Sequence, residues 1–518
     1  MTHSSNPQAS ASSQAMIRKS WNFDLIRSET LHRILDDLLA PLGCSALVMN
    51  GGQTLHVRAA TPADLATLPH AAALCSQYLH LKNGDGAILN DPLSSGTTLS
   101  DFTLVMGLDT ENLGTDLLLA RRISFPQRLS AHDKLDDQGV RVPPTPLAAR
   151  GILNLDLLNA VSAHPFAPKN LAQAIQTAWA EMQQTAFDVL QLARDPGSEF
   201  KRMHFRRYLE DSSQAFESLM TRLPLGHSLV TASLPTGEVM KLQLDVSEKS
   251  LNFDFAGTES SENLALTELE TFGACIAATV RLIGQSVPMN SGTFEHFRVS
   301  APARTMVSTR GLAGLFNGVT TGAATVAELV QTAFIRLNPA MKKPSEAGVD
   351  AFFELRFADS AYRGRLSPGS AARKGEEGLD AFATWSSSMI HEAHSPIHSS
   401  IEKIERECPV HFKLAGLHAG SGGKGRARGG HGRILQLTAE RDGILIWNFG
   451  RSFQSHLGFE GGKAGGAGKI SIKKPGDEPE TFFDTGQGES PFLKGDEITL
   501  YGAGGGAWGG YHDSNAES

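Results

Sequence analysis

At 518 residues the chain is longer than a single hydrophobic core usually sustains, which predicts two or three lobes. Its 41% hydrophobic and 20% charged residues are the balance of a soluble globular protein, and a net charge of −8 argues against nucleic acid as the main partner. Four cysteines, Cys44, Cys75, Cys275 and Cys408, lie far apart with no CxxC pair, so the sequence predicts neither a disulfide framework nor a structural zinc site and fits a reduced, cytoplasmic setting.

Residues 1–20 are polar and lack the basic start and apolar run of an export signal, so they are expected to form a disordered tail. No apolar run approaches the roughly 20 residues that cross a bilayer, which leaves no membrane role. SETLHRILDDLLAPLG predicts a short amphipathic helix, with Ser28 as its cap and Gly43 as its stop. From Ile88 to Met106, turn residues separate short apolar runs and predict strands joined by tight loops, a plausible rim for a site. The stretch 152–193 predicts a long helix that ends at Asp195-Pro196-Gly197 and closes a mixed N-terminal lobe, 21–195.

EVMKLQLDVSEKSLNFDFAGT alternates apolar and polar residues and predicts a β-hairpin, followed by buried helices in TFGACIAATVRLIG and GAATVAELVQTAFIRL. These compose a middle α+β lobe, 196–345. Half of the 52 glycines, 26, fall between His411 and Gly510, and glycine within helices costs about 1 kcal/mol each relative to alanine. The last lobe, 346–518, is therefore expected to be rich in strands and loops, and the whole chain to be a multi-lobed α+β protein.

Three stretches invite chemistry. GSGGKGRARGGHG, Gly420–Gly432, has the composition of a phosphate loop, but no Ser or Thr follows Gly423-Lys424-Gly425 to hold magnesium. RILQLTAERDGILIWNF comes next as an expected β-hairpin rather than the helix of a dinucleotide fold. Consecutive amides around Ser421, Gly422 and Gly423, with Arg428 beside them, would suit an anion, and close backbone crossing would use the same glycines. The histidines 391, 394 and 398 do not have HExxH spacing, and Pro396 interrupts any helix that would align them, so a polar loop is expected. Asp91 and Asp101 bracket a Gly/Ser/Thr loop, where carboxylates serve either catalysis or ordinary turn chemistry. No GxSxG elbow and no recognisable Cys/His arrangement supports a nucleophilic hydrolase.

Eight segments in order resemble the hydantoinase B/5-oxoprolinase family. They are GDGAILNDPLSSGTTLSD (84–101), GVRVPPTPL (139–147), LNFDFAGTES (251–260), SVPMNSGTF (286–294), SIEKIERECPV (400–410), GSGGKGRARGGHG (420–432), GFEGGKAGGAG (458–468) and YGAGGGAWGG (501–510). Each alone is weak, but the ordered set covers most of the chain from about residue 80. The resemblance implies a site loop made of Asn90, Asp91, Gly96, Thr97, Thr98 and Asp101, with Asp91 and Asp101 as its catalytic groups. In relatives a histidine stands where this chain has Thr98, and a following segment adds more metal ligands. Here that segment, ARRISFPQRLSAHDKLDDQ, has no paired histidines, so Asp101 is the only matching ligand and no divalent metal is expected in this chain, unless His132 and Asp133 rebuild a site. Gly420 replaces an expected acid, while Glu402 and Glu405 match the family's paired glutamates and should share a face of a short helix.

The resemblance further implies a hetero-oligomer in which an A-type subunit binds ATP and Mg2+. The expected function is that of the B-type subunit of an ATP-dependent cyclic-amide hydrolase acting on a hydantoin, 5-oxoproline or lactam ring. The alternatives are a subunit of an ATP-dependent ketone carboxylase, or a structural subunit without catalysis.

Overall fold

The computed structural model describes residues 26–510, apart from 110–115, 126–138, 196–199, 312–320, 339–350, 381–400 and 451–454 and short breaks at 235–236, 263, 373–374, 379, 457, 477–479 and 484–485. The multi-lobed α+β architecture expected from the sequence is what the structure shows, with four sheets among the described residues.

The first sheet comprises β1 (Ser45–Met49), β2 (Thr54–Arg58), β3 (Gly86–Leu89), β4 (Asp101–Leu108), β5 (Leu117–Ser124), β6 (Thr145–Ala149) and β7 (Ile152–Leu153). Their order is β2-β1-β5-β4-β3-β6-β7, with every neighbour antiparallel. Helices cover it: α1 (Ile26–Leu39), α2 (Asp64–Leu79), α3 (Leu155–Ser162), α4 (Leu171–Arg194) and α5 (Arg202–Met220). Because both faces are covered, β4 reads as a continuous apolar run and is buried throughout. Phe102 and Leu104 join the core with α1 and α4, while Val105 joins the opposite core with α2. The expected helix at the start ends as predicted, at Gly43 with φ 68°. Ser28, however, lies inside α1 and donates to Asp211, because the helix begins before it. The single long helix expected over 152–193 is broken into β7, α3 and α4, since Asn154 caps one helix and Pro165 and Pro168 lie in the turn before the next.

The second sheet, order β11-β10-β9-β8, contains β8 (Gly226–Ser233), β9 (Val239–Val246), β10 (Leu251–Asp254) and β11 (Phe297–Ser300). β9 and β10 form the expected hairpin, and β11 joins β10 in parallel. The Ala-rich helices α6 (Glu268–Ile283) and α8 (Ala323–Leu337) pack on it, with the short α7 (Ser291–Phe294) between them in sequence. One buried cluster runs from Ala46 and Leu68 to Phe253 and Val330, so this sheet and the first share a core across residue 195.

Beyond residue 350, β12 (Ala351–Arg356), β13 (Ala361–Leu366), α9 (Ile401–Glu407), β14 (Val410–Leu417), β15 (Arg433–Ala439), β16 (Gly443–Asn448), β17 (Lys469–Lys473), β18 (Thr481–Phe483), β19 (Gln487–Phe492) and β20 (Glu497–Tyr501) follow. They form two sheets, β13-β12-β16-β19 and β14-β15-β20-β17-β18, around a core that includes Phe353, Leu437, Trp447 and Ile498. The hairpin expected over 433–449 is corrected: β15 pairs with β14 and β20, whereas β16 pairs with β12 and β19. Alternating apolar residues specify strands but not partners, and here the turn at 440–442 carries the chain from one sheet to the other.

Candidate functional site: a buried charge cluster under the Asn90–Asp101 loop

The loop between β3 and β4 is fixed by its own side chains. Asn90 Nδ2 donates to the carbonyls of Leu99 and Val140, both at 2.8 Å, and its Oδ1 accepts from the Val142 amide at 2.7 Å. Asp91 starts a short 3-10 turn at Pro92–Ser94, accepting from Leu93 N at 3.2 Å and the Ser94 hydroxyl at 3.1 Å, with Arg141 Nε 3.3 Å away. Gly96 is required by close approach: a Cβ there would stand 2.3 Å from the Asn90 carbonyl oxygen. Thr97 and Thr98 both donate to Asp101 Oδ2, at 2.6 and 2.9 Å. Asp101 is 1% exposed and Asp91 3%, so both carboxylates lie beneath the surface.

Beneath this loop is a charge cluster that the sequence reading did not single out. Arg122 on β5 pairs with Thr103 on β4, which puts its side chain on the same sheet face as Asp101, two residues along. Its Nε donates to the Thr103 hydroxyl at 3.1 Å, its Nη1 to Asp64 and to the Thr67 hydroxyl (2.9 Å), and its Nη2 to the Ser95 carbonyl at 3.3 Å. Asp64 begins α2, where a carboxylate also suits the helix dipole, and its second oxygen accepts from the amide and hydroxyl of Thr61 at 2.7 and 2.9 Å. Arg122 thus joins β4, α2 and the loop through one guanidinium. Burial opposes its charge, but Asp64, Cys44 and Asp101 together raise its pKa above the usual arginine value.

The fourth member is Glu270. Its Oε2 accepts from the Thr267 amide at 2.7 Å while Thr267 caps α6 in return, a capping box. Its Oε1 is buried with no hydrogen-bond partner among the described residues. Complete burial pushes its carboxyl up to about 8, against hydrogen bonds from Thr267 and the charge of Arg122, so Glu270 is mostly protonated at neutral pH. One guanidinium therefore pairs directly with Asp64 and acts on Asp101 and Glu270 through its charge.

Two signals in the sequence mark this cluster. Consecutive arginines within the apolar strand LLLARRIS must point to opposite faces, so one of them is forced inward; Thr267-x-x-Glu270 is a capping-box spacing.

The described residues do not fit a divalent metal. Asp101 Oδ2 is taken by two hydroxyls, a guanidinium already occupies the cluster, and no group of three His, Cys, Asp or Glu among the described residues is placed to hold an ion. His132, Asp133 and the 391–398 histidines lie outside the described residues.

In the glycine-rich stretch, Gly423 N donates to Gly505 O at 2.9 Å, Gly422 N to His431 Nδ1 at 3.1 Å, and the buried Ser421 hydroxyl to His418 O at 2.7 Å. Those amides bond within the lobe. Arg428 lies near Glu377 (3.7 Å) and Asp380 (3.5 Å). Gly420 is in the left-handed region at φ 81°. Glu405 accepts from Phe412 N at 2.7 Å and faces His411 at 3.1 Å, tying α9 to β14.

The pattern of the Hydantoinase B/oxoprolinase family matches residues 42–511. The chain belongs to this family. Among hydantoinase B/oxoprolinase relatives, an uncharacterised protein, MJ0963, of Methanocaldococcus jannaschii is 23% identical over 90% of this chain and 84% of its own length. The 5-oxoprolinase 1 of Arabidopsis thaliana is 24% identical over 44% of this chain, a match that spans only 17% of that longer protein. Among solved structures, the ATP-dependent caprolactamase from Pseudomonas jessenii shares the fold with a TM-score of 0.75 at 16% identity, covering 98% of this chain and 92% of that one. Nucleotide-free acetone carboxylase does so with 0.71 at 13% identity, covering 97% and 76%.

Proposed function

We propose that this chain is the B-type subunit of an ATP-dependent hydrolase that opens a cyclic amide, working with an A-type subunit that binds ATP and Mg2+. The observation that carries the reading is the likeness to the ATP-dependent caprolactamase over nearly the full length of both chains. An amide ring resists water because its carbonyl is resonance-stabilised. Phosphoryl transfer from ATP to the carbonyl oxygen, on the partner, converts that oxygen into a leaving group. Water then adds to the ring carbon and the C–N bond breaks, the nitrogen leaving as the amine with a proton from that water. The acyl phosphate that remains is hydrolysed by a second water to the free acid and phosphate. In this scheme the Asn90–Asp101 loop lines the reacting centre. Asp91 and Asp101 are its catalytic carboxylates, and Gly96, Thr97 and Thr98 shape the approach. Arg122 and Asp64 hold that loop rigid, so that its dipoles are oriented before the charge develops.

A second reading, a subunit of an ATP-dependent ketone carboxylase, is favoured by the likeness to acetone carboxylase. ATP turnover by the complex of this chain with its ATP-binding subunit separates the two. Caprolactam, 5-oxoproline or hydantoin should stimulate turnover, and Asp101→Asn should lower the stimulated rate about 100-fold or more. Stimulation only by a ketone with bicarbonate would establish the carboxylase instead. An unchanged rate in Asp101→Asn would remove the loop from catalysis.

A further inference from the structure

We infer that Arg122 is the resident cation of this site: its guanidinium, held between Asp64 and the Ser95 carbonyl beneath the loop, supplies the fixed positive charge that a divalent metal ion would otherwise bring. Three features carry this. First, the guanidinium is spent on the groups that would otherwise face an ion, namely Asp64, the Thr67 and Thr103 hydroxyls and the Ser95 carbonyl. Second, Asp101 takes hydroxyl donors from both Thr97 and Thr98 on Oδ2, so the two lone pairs of that oxygen are already used and are not open to a metal. Third, a doubly charged ion placed beside a buried guanidinium would be repelled through a medium that screens poorly. A guanidinium also differs from a metal in kind. It cannot bind water as a Lewis acid, and it cannot be lost to a chelator, so the loop keeps its shape in any metal supply. Arg122 is a positioning residue, acting through the backbone of Ser95 and the carboxylates around it.

The inference stands apart from the choice of substrate, because its readouts are metal content and melting temperature rather than turnover. Elemental analysis of the purified full-length chain, alone and in complex with its ATP-binding subunit, should find no stoichiometric divalent ion in this chain. EDTA, Mn2+ and Zn2+ should leave its melting temperature unchanged. Arg122→Gln, which keeps part of the shape and removes the charge, should melt lower and be raised by about 3 °C or more in millimolar Mn2+. Arg122→Lys, which keeps the charge, should remain indifferent to Mn2+. One tightly held ion per wild-type chain would overturn the inference. So would an Arg122→Gln protein that folds yet ignores divalent ions, since a merely structural arginine behaves that way. If Arg122→Gln does not fold, the wild-type metal content decides the matter.

Discussion

Glu270→Gln tests the buried cluster most directly. The change is nearly isosteric: the side-chain oxygen can still accept from the Thr267 amide at 2.7 Å, while the titrating proton is gone. In the wild type the carboxyl is raised from 4.5 to about 8 by burial, so between those values the folded state holds a proton that the unfolded chain has released. Stability from this group is fully present below about pH 4.5 and is lost as the pH rises through about 8. Between pH 6 and pH 8 linkage puts the loss at about 2 kcal/mol. For a folded unit of about 300 residues, the two lobes that share this core, that is a fall in melting temperature of roughly 3 °C. Thermal melts of both proteins across this range should therefore diverge, the wild type falling by that much more than Glu270→Gln. Parallel curves would refute the reasoning, because they would mean that Glu270 titrates alike in the folded and unfolded chains.

Two further predictions concern the architecture around the site. Asn90→Ala removes three hydrogen bonds at 2.7–2.8 Å, two of them buried, and strands the Val142 amide and the Leu99 carbonyl, so urea denaturation should show a loss of about 3 kcal/mol. A loss below about 1 kcal/mol would show that the loop is held by other means. Gly429→Ala places a Cβ 1.9 Å from the Gly505 carbonyl oxygen, so limited proteolysis should cut the lobe beyond residue 350 while the first sheet stays protected.

The sequence made the strands and helices with clear periodicity legible: β9 and β10 by alternation, α6 and α8 by their long apolar faces, and the end of α1 by Gly43. It did not reveal which strands pair. β15 and β16 are adjacent in the chain yet belong to opposite sheets, because partner choice depends on faces that only the assembled core defines. The site was half legible. Asn90, Asp91 and Asp101 stood out through turn chemistry and resemblance. Asp64, Arg122 and Glu270 are distant in sequence, from three different elements, and meet only when α2 and α6 close on β5. Arg122 carried a local hint, an inward-facing charge in an apolar strand, and Glu270 another, its capping-box spacing, but nothing local marked Asp64 or showed that the three meet.

The three glycine-rich segments have a consequence for the order of events during synthesis. Gly430 donates to Ser370, Gly505 to Gly430, Gly466 to Ser421, and Gly504 to Gly466, so backbone from four distant parts of the chain is interlaced. A Cβ at Gly504 would come within 1.8 Å of the Ser421 carbonyl oxygen, which leaves no space for a placeholder residue or for partial docking. The lobe beyond residue 350 therefore cannot close until residues 501–510 have left the ribosome, whereas the first two sheets have all their strands by residue 300. Such long-range closure is slow, and the unfinished strands stay open to wrong partners while they wait. The residues of the buried charge cluster thus emerge well before the last strands of the glycine weave, whose closure has to wait for them.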